Sequence, residues 1–305
     1  MSNSTIDFKG RVAIVTGAGG GLGRQHALAL AARGAKVVVN DLDRGGAGAS
    51  VSAAQAVVDE IEAAGGEAMA NGASVTDFEA VQAMVKQAVD AWGRVDVLVN
   101  NAGILRDKSF AKMELADFKL VVDVHLMGAV NCTKAVWALM NEQKYGRIVM
   151  TTSSSGLYGN FGQSNYGAAK LALVGLMQTL SIEGARNDIR VNCLAPTAAT
   201  RMTEGLMPQE VLDALKPEAV VPAMLVLAAE DAPNRTILCA GAGTFEAAHI
   251  TLTQGAWLGI GADTAEQLAA RLAEVSSREG EIVPQNGSAQ GSNEVGKAMA
   301  NARKG

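Results

Sequence analysis

Three side chains between Val149 and Gly175 have the types and spacing of an acid–base site. The segment reads as a strand, a Ser/Gly-rich turn and an Ala-rich helix. Tyr166 and Lys170 are four positions apart, so a helix places both on one face, where a cation lowers the pKa of a neighbouring phenol. Ser153, at the end of the strand, could hydrogen-bond the same substrate oxygen. These groups therefore predict proton transfer at a substrate oxygen near neutral pH.

A Tyr-x-x-x-Lys pair alone is weak evidence, because many solvated helix faces carry one. The preceding chain favours the functional interpretation. A β-branched run, Arg11 to Thr16, leads through a glycine-rich turn into a helical pattern, and the turn contains Gly17, Gly21, Leu22 and Gly23. A strand followed by a glycine turn and the start of a helix predicts a dinucleotide site. The free backbone amides and the dipole of the helix favour binding of a pyrophosphate there. A plain flexible turn is the alternative.

An acidic residue follows the second predicted strand, Lys36 to Asn40. Asp41 can accept hydrogen bonds from the adenosine ribose hydroxyls, and its charge repels a 2′-phosphate, so it favours NAD over NADP. Asp43 competes for the same role, and a loop or capping aspartate is the alternative interpretation.

Strand and helix patterns continue to alternate along the first half of the chain. They cover a helix at about 49–64, a strand at 67–71, a helix at 77–92 and a strand at 95–99. This alternation predicts an α/β fold with a Rossmann-type doubly wound parallel sheet. Ligands bind at the carboxyl edge of such sheets. Ser74 and Val75 are therefore expected at the adenine, and Asn101, Ala102 and Gly103 beneath the cofactor.

Over about residues 8–245 the chain resembles the short-chain dehydrogenase/reductase family. The resemblance is carried by the T-G-x-x-x-G-x-G glycines, the N-N-A-G turn, Ser153 and Tyr166-x-x-x-Lys170. Stretches such as VNNAGILRDKSF and GNFGQSNYGAAK are similar to a narrower group. These are the (3R)-hydroxyacyl-CoA dehydrogenase modules of peroxisomal multifunctional β-oxidation enzymes, also described as 17β-hydroxysteroid dehydrogenases of type 4. The resemblance implies an NAD-dependent oxidoreductase that interconverts a secondary alcohol and a ketone, with (3R)-3-hydroxyacyl-CoA and 3-oxoacyl-CoA as the favoured pair.

Three alternatives stay open. A 17β-type hydroxysteroid dehydrogenase is close to the favoured function. An NADPH-dependent 3-oxoacyl-carrier-protein reductase is opposed by Asp41, where a basic residue is expected nearby. A non-catalytic dinucleotide-binding regulator usually lacks one of the catalytic residues, and here Ser153, Tyr166 and Lys170 are all present.

The resemblance also implies roles for single residues. Tyr166 is the expected acid/base and also belongs to the expected cofactor site. Ser153 holds the substrate oxygen, and Lys170 binds the nicotinamide ribose and acidifies Tyr166. The fourth catalytic position, usually an asparagine in this family, is His125 here. His125 either relays a proton or fills the structural place of the asparagine.

Further binding residues are expected after the sixth strand. Pro196, Thr197 and Thr200 belong to a loop that meets the nicotinamide, and Thr197 stands where the family often has glycine. Four apolar residues are candidates for a substrate channel: Leu157, Phe161, Met202 and Leu206. The default interpretation of such residues is that they belong to the core.

Length and composition limit the classes of function. The 305 residues carry a net charge of −5 and are 49% hydrophobic, which argues against nucleic acid as the main partner. No apolar run reaches the length of a membrane span. Three separated cysteines favour a reducing compartment, and three unclustered histidines argue against a metal site. With no signal-peptide core in MSNSTIDFKG, these features predict a cytoplasmic enzyme.

The predicted organisation is a single Rossmann-fold dehydrogenase domain, residues 1–255, followed by a helical or irregular extension, residues 256–305. A capping box at Asp263 starts a predicted helix at about 264–276. The polar remainder is expected to be a flexible tail or an arm packed on a neighbouring subunit. The resemblance implies a homodimer or homotetramer, an acyl-CoA or steroid substrate, and an enoyl-CoA hydratase acting in the same pathway.

Overall fold

The computed structural model describes residues 5–42, 52–199 and 208–303. The chain divides into two compact units, Met1–Ala247 and Ala248–Gly305. This division lies earlier in the chain than the predicted boundary after residue 255, because the last strand of the sheet ends at this point.

The first unit is built on one eight-stranded sheet. Its strands are β1 (Val12–Thr16), β2 (Lys36–Asn40), β3 (Glu67–Asn71), β4 (Val97–Asn100), β5 (Gly146–Thr151), β6 (Ile189–Thr197), β7 (Ile237–Gly241) and β8 (Thr244–Ala248). They lie in the order β3-β2-β1-β4-β5-β6-β7-β8, and the pairs from β3 to β7 are parallel. This is the strand order of a doubly wound Rossmann sheet, so the predicted fold class is confirmed.

The eighth strand was not predicted from the sequence. β8 follows β7 after the two residues Ala242 and Gly243, whose φ angles are 51° and 76°. Positive φ at both central residues is the geometry of a type I′ hairpin turn. The turn residues A-G are less typical of this geometry than N-G. Four of the five β8 residues are exposed. The sequence therefore shows neither the turn residues nor the hydrophobic pattern that would predict a hairpin here.

Helices flank the sheet of the first unit. They are α1 (Gly21–Ala32), α2 (Ala53–Ala63), α3 (Phe78–Trp92), α4 (Leu115–Val122), α5 (Gly128–Gln143), α6 (Ser154–Tyr158), α7 (Ser164–Gly184), α8 (Gln209–Ala214) and α9 (Val221–Ala228). Between α4 and α5, residues Asp123–Met127 form a π-helical turn, so these two helices are continuous. Such turns widen a helix locally and often occur at functional sites.

The core consists of the central strands and the helix faces against them. β1 and β4 are buried along their whole length, which explains why their sequences are continuous apolar runs rather than alternating ones. Leu30 of α1 and Met224 of α9 are fully buried in this core. Burial of each such side chain stabilises the folded state by about 1.5–3 kcal/mol. Together these side chains hold the carboxyl ends of the strands in fixed positions.

The second unit contains α10 (Thr264–Ala270), α11 (Leu272–Val275) and α12 (Ser288–Ala302). The helix predicted at about 264–276 is present as two short helices. α12 lies in the segment interpreted as a polar tail, where three glycines, at 287, 291 and 296, argue against a helix. Its start is fixed by Asn286, whose Oδ1 accepts a hydrogen bond from the Ser288 amide at 3.1 Å.

The described part of the chain lacks two kinds of feature. None of its helices combines the length and apolarity needed to cross a membrane. None of its clusters of His, Cys, Asp and Glu has three members placed to hold a metal ion.

A buried arginine ties the amino ends of the strands together. Arg147 of β5 is fully buried and pairs with Asp188 at 3.0 Å. Its guanidinium also donates to the carbonyls of Asp188 and Ala229 at 2.6 and 3.0 Å, and it lies 4.2 Å from the ring centre of Tyr145. The charge is therefore fully partnered, as burial requires.

We expect Arg147→Leu to lower the free energy of unfolding by about 2–4 kcal/mol, because it leaves the carbonyls of Ala229 and Glu230 without this donor, whereas Asp188 keeps its ion pair with Arg190. Urea titration followed by circular dichroism measures the change. Arg186→Leu, at an exposed position, is the matched control and should change stability by less than about 0.5 kcal/mol. Equal effects of the two substitutions would contradict this account.

Candidate active site

The turn from β1 into α1 has no room for side chains. Gly17 has φ +62°, and a Cβ there would lie 2.8 Å from the Cα of Ala102. A Cβ on Gly23 would lie 2.3 Å from the Gly17 carbonyl oxygen. Asn101 holds the turn in place, because its side-chain amide donates to the carbonyls of Thr16 and Gly17 at 2.9 and 3.1 Å. The two glycine-containing motifs therefore form one packed surface at the carboxyl ends of β1 and β4.

The first turn of α1 offers free backbone donors. The helix begins with Gly21, Leu22 and Gly23. Its N-cap, Gly20, provides no side-chain hydrogen bond, and its first turn holds no acidic residue. The first N–H groups of a helix have no partner within the helix, and with the helix dipole they attract anions. This glycine-rich turn fits the pyrophosphate of a dinucleotide.

Asp41 lies directly beside this turn. Its Oδ2 accepts a hydrogen bond from the Gly19 amide at 2.8 Å, and a Cβ on Gly19 would lie 2.9 Å from the same oxygen. The carboxylate is thus held at the end of β2, where the adenosine ribose of a dinucleotide is expected. Asp43, the competing candidate, lies outside the described residues.

The residues predicted to contact adenine follow β3. The Ser74 hydroxyl is hydrogen-bonded to the Thr76 hydroxyl at 2.8 Å. Val75 is buried, and its carbonyl accepts a hydrogen bond from the Asn131 side chain at 2.9 Å. Both lie at the carboxyl edge of the sheet as expected, and their contact with adenine stays a prediction.

Ser153, Tyr166 and Lys170 lie together at the carboxyl end of β5. Ser153 is the N-cap of α6, where its hydroxyl accepts from the Ser155 amide at 3.1 Å. The Ser153 hydroxyl acts on the Tyr166 phenol as a hydrogen-bonding neighbour that lowers its pKa. The Lys170 Nζ lies 5.5 Å from the centre of the Tyr166 ring. The structure therefore brings the three predicted groups into one cluster.

Lys170 is buried between β5 and α7. Its ammonium donates to the Thr151 carbonyl at 2.6 Å, and the Thr152 hydroxyl donates to the Lys170 carbonyl at 2.7 Å. Burial lowers the pKa of Lys170 to about 7. An ammonium has three N–H donors, so two remain for the hydroxyls of a bound ribose.

The pKa of Tyr166 is raised, which is opposite to the predicted direction. Burial is the largest cause, the charge of Asp107 adds to it, and the hydrogen bond with Ser153 acts in the other direction. Lys170 does not reverse this result, because with a pKa near 7 it is only partly charged at neutral pH, and its ammonium is bonded to the Thr151 carbonyl.

His125 lies in the π-helical turn and packs edge-on against Tyr166, with ring centres 5.1 Å apart. Its Nε2 lies 3.0 Å from the Ile104 amide nitrogen and 2.7 Å from the Ile104 carbonyl oxygen. Burial and the charge of Lys170 lower the pKa of His125 to about 3, so the ring is neutral at physiological pH. Gly103 makes room for it, because a Cβ there would lie 2.3 Å from the imidazole Cε1.

A small cavity lies beside the imidazole. Its volume is about 10 Å³, and His125, Asn100 and Lys170 are among its lining residues. The His125 Nδ1 and Asn100 Oδ1 atoms are buried without a hydrogen-bond partner. A cavity of this size and polarity can hold a single water molecule. The geometry therefore supports a positioning contact at Nε2 and leaves a relay through Nδ1 open.

Two loops border the cluster, residues 105–113 and 159–163, which we call the entrance loops. The Lys108 amide donates to the Gly162 carbonyl at 2.9 Å, and the Gln163 side chain donates to Asp107 at 2.6 Å. Asp107 and Gln163 were not among the site residues predicted from the sequence. The only available signal was their position beside the N-N-A-G turn and the Tyr166 motif.

The remaining predicted binding residues are less enclosed. Leu157 is half-buried on α6, while Phe161 is 91% exposed. Pro196 and Thr197 end β6, and a Cβ on Gly241 would lie 2.7 Å from the Thr197 carbonyl oxygen. Three predicted residues lie outside the described part of the chain: Thr200, Met202 and Leu206.

Comparison with known proteins relates this geometry to a family. The family model described as short chain dehydrogenase matches residues 11–211. The peroxisomal multifunctional enzyme type 2 of Drosophila melanogaster is 51% identical over 260 residues, which are 84% of this chain and 43% of the relative. Its full-length structure has a TM-score of 0.81 at 40% identity and covers 98% of this chain and 51% of that one.

Two further proteins match along most of their own length. A short-chain type dehydrogenase/reductase of Mycobacterium tuberculosis is 47% identical over 273 residues, which are 88% of this chain and 95% of the relative. The structure of a 7α-hydroxysteroid dehydrogenase complexed with NADH and 7-oxo glycochenodeoxycholic acid has a TM-score of 0.72 at 30% identity, covering 80% of this chain and 98% of that one. This chain thus spans about half or less of the Drosophila enzyme and nearly all of the other two.

We expect Asp107→Asn to shift the pH dependence of turnover to lower pH. The carboxylate raises the pKa of Tyr166, so its removal makes the phenolate accessible at lower pH, while the amide oxygen can still accept from Gln163. The pH profile of kcat for alcohol oxidation measures the shift. Asp59→Asn is the control, because Asp59 of α2 likewise accepts a hydrogen bond from a glutamine side chain, that of Gln55 at 2.8 Å. A shift to higher pH, or an equal shift in both variants, would overturn the assignment.

We expect His125→Asn to retain kcat within about fivefold, because an amide can both donate to and accept from the Ile104 backbone. His125→Leu loses these contacts and should lower kcat by about tenfold or more. Steady-state kinetics and the pH profile distinguish positioning from relay. If His125→Asn loses as much activity as His125→Leu, the imidazole does more than position the backbone.

Proposed function

Because the chain belongs to the short-chain dehydrogenase family, we propose that it is an NAD-dependent oxidoreductase acting on (3R)-3-hydroxyacyl-CoA thioesters. The observation that carries this proposal is the cluster of Ser153, Tyr166 and Lys170 at the same sheet edge as the glycine turn. Family membership supports an exchange between a secondary alcohol and a ketone with a nicotinamide dinucleotide.

The reaction follows from the positions of the side chains. When bound, the nicotinamide dinucleotide supplies the acceptor for the hydride that leaves the alcohol carbon. Tyr166 as phenolate takes the hydroxyl proton, and Ser153 donates a hydrogen bond to the oxygen as it becomes a carbonyl. In the reverse direction, the Tyr166 phenol returns the proton to that oxygen. Burial excludes water from the proton transfer, at the cost of a raised phenol pKa.

The 3-hydroxyacyl-CoA substrate is supported by the similarity to the Drosophila multifunctional enzyme and by the motifs shared with hydroxyacyl-CoA dehydrogenase modules. A hydroxysteroid is the second candidate, because the 7α-hydroxysteroid dehydrogenase shares the fold along most of its length. Turnover of (3R)- and (3S)-3-hydroxybutyryl-CoA and of a 17β-hydroxysteroid, followed by the absorbance of the reduced nicotinamide, separates these candidates. Preference for the steroid alcohol would reject the acyl-CoA proposal.

NAD is the proposed cofactor because Asp41 is fixed beside the glycine turn and the steroid dehydrogenase was solved with NADH. We expect Asp41→Ala to lower kcat/KM for NAD by about tenfold, as expected for hydrogen bonds lost by a charged acceptor, and to raise the relative use of NADP. Asp41→Asn should lose less with NAD, because it can still accept from Gly19. Cofactor kinetics with both nucleotides measure this, and a preference of the unsubstituted chain for NADP would refute it.

The assembly and its surroundings are further parts of the proposal. A homodimer or homotetramer is supported by the exposed side chains Leu171 and Ile182 of α7, 46% and 52% accessible. An open cleft of about 800 Å³ is lined by Ile182 and Trp137 among other residues. An enoyl-CoA hydratase is the expected supplier of the 3-hydroxyacyl substrate. The location is proposed as cytoplasmic, although the Drosophila relative is named peroxisomal. Light scattering tests the number of subunits, and imaging of the tagged chain tests the location.

A further inference from the structure

The entrance loops are attached firmly to the catalytic residues. The Asn165 side chain donates to the Arg106 carbonyl at 3.1 Å and accepts from the Tyr166 amide at 2.7 Å. Asn165 is itself fully buried. With the backbone bond between Lys108 and Gly162, this contact places both loops in a fixed position beside the acid–base group. Side chains on these loops are therefore positioned to contact a part of the substrate that extends from the site.

The first entrance loop carries an excess of weakly paired positive charge. Arg106 and Lys108 share one carboxylate, Asp117, at 3.7 and 4.0 Å. Lys112 has no salt-bridge partner among the described residues. The acidic side chains of the same segment are Asp107, bonded to Gln163, Glu114 and Asp117. The outward-facing cations are thus available to an anionic ligand at little cost in broken ion pairs.

Aromatic rings are exposed on and next to the same loops. Phe110, Tyr158 and Phe161 are 74%, 71% and 91% exposed, and they are the three most exposed aromatic side chains in the described part of the chain. Aromatic residues make up only 4% of the sequence, so their concentration here is not a consequence of composition. Exposed rings beside cations suit a ligand that has both a flat base and phosphates.

We propose that the entrance loops bind the nucleotide end of coenzyme A. Arg106, Lys108 and Lys112 contact its phosphates, and Phe110 and Phe161 contact the adenine. The inference rests on the proposed acyl-CoA function and deepens it, because it assigns a part of the substrate that takes no part in the chemistry. Binding energy from this end strengthens binding of the ground state and the transition state alike and so lowers KM, while the 3-hydroxyl group reacts at Tyr166.

The test compares two thioesters of (3R)-3-hydroxybutyrate, one with coenzyme A and one with pantetheine, which lacks the nucleotide. For the unsubstituted chain we expect a lower KM with the coenzyme A thioester and similar kcat values. Lys108→Gln and Lys112→Gln should each raise the KM for the coenzyme A thioester by about tenfold, and leave the KM for the pantetheine thioester unchanged. Phe110→Ala should act in the same way.

Lys86→Gln is the matched control, because Lys86 is an exposed lysine of α3 that pairs with Asp90; it should change neither KM. Equal KM values of the two thioesters with the unsubstituted chain, or equal effects of Lys108→Gln on both, would overturn the inference. Oxidation of neither thioester would instead reject the proposed function. A change in subunit number in Lys112→Gln or Phe110→Ala, measured by light scattering, would show that the loops contact a second copy, and would also overturn it.

Discussion

The buried ammonium of Lys170 is the interaction on which the site depends. A charge removed from water is stable only when its donors are satisfied, and the Thr151 carbonyl at 2.6 Å satisfies one of them. This contact requires the end of β5 to meet the first turns of α7. Gly156 makes the approach possible, because a Cβ there would lie 2.9 Å from the Leu171 amide nitrogen. The arrangement fixes Lys170 and, one turn earlier, Tyr166.

The same burial gives the site its electrostatic character. It lowers the pKa of Lys170 to about 7 and raises the pKa of Tyr166, so the isolated chain holds the phenol neutral and Lys170 only partly charged at neutral pH. His125 is kept neutral as well, which limits the mobile charges to the phenol and the ammonium. A site of this kind gains its active protonation state together with its ligands.

Short-range sequence patterns were sufficient to predict much of the fold and of the candidate site. The strand, glycine turn and helix at residues 11–34 predict both an element order and a ligand, and the i, i+4 spacing of Tyr166 and Lys170 predicts their shared face. Long-range contacts could not be predicted in this way. The bond from Asn101 to the glycine turn and the effect of Asp107 on Tyr166 join residues distant in sequence. The direction of the Tyr166 pKa was mispredicted because burial depends on the whole tertiary structure.

The central claim is that the Tyr166 phenol transfers the proton in a site that binds the cofactor independently of that group. Tyr166→Phe removes one oxygen and keeps the ring that packs against His125. Calorimetry of NAD binding and a turnover assay on the same preparation give the most direct test. The account predicts a Kd for NAD within about threefold of the unsubstituted chain and a loss of kcat of about 10²–10⁴-fold. A variant that keeps more than about a tenth of the activity at an unchanged Kd would contradict it.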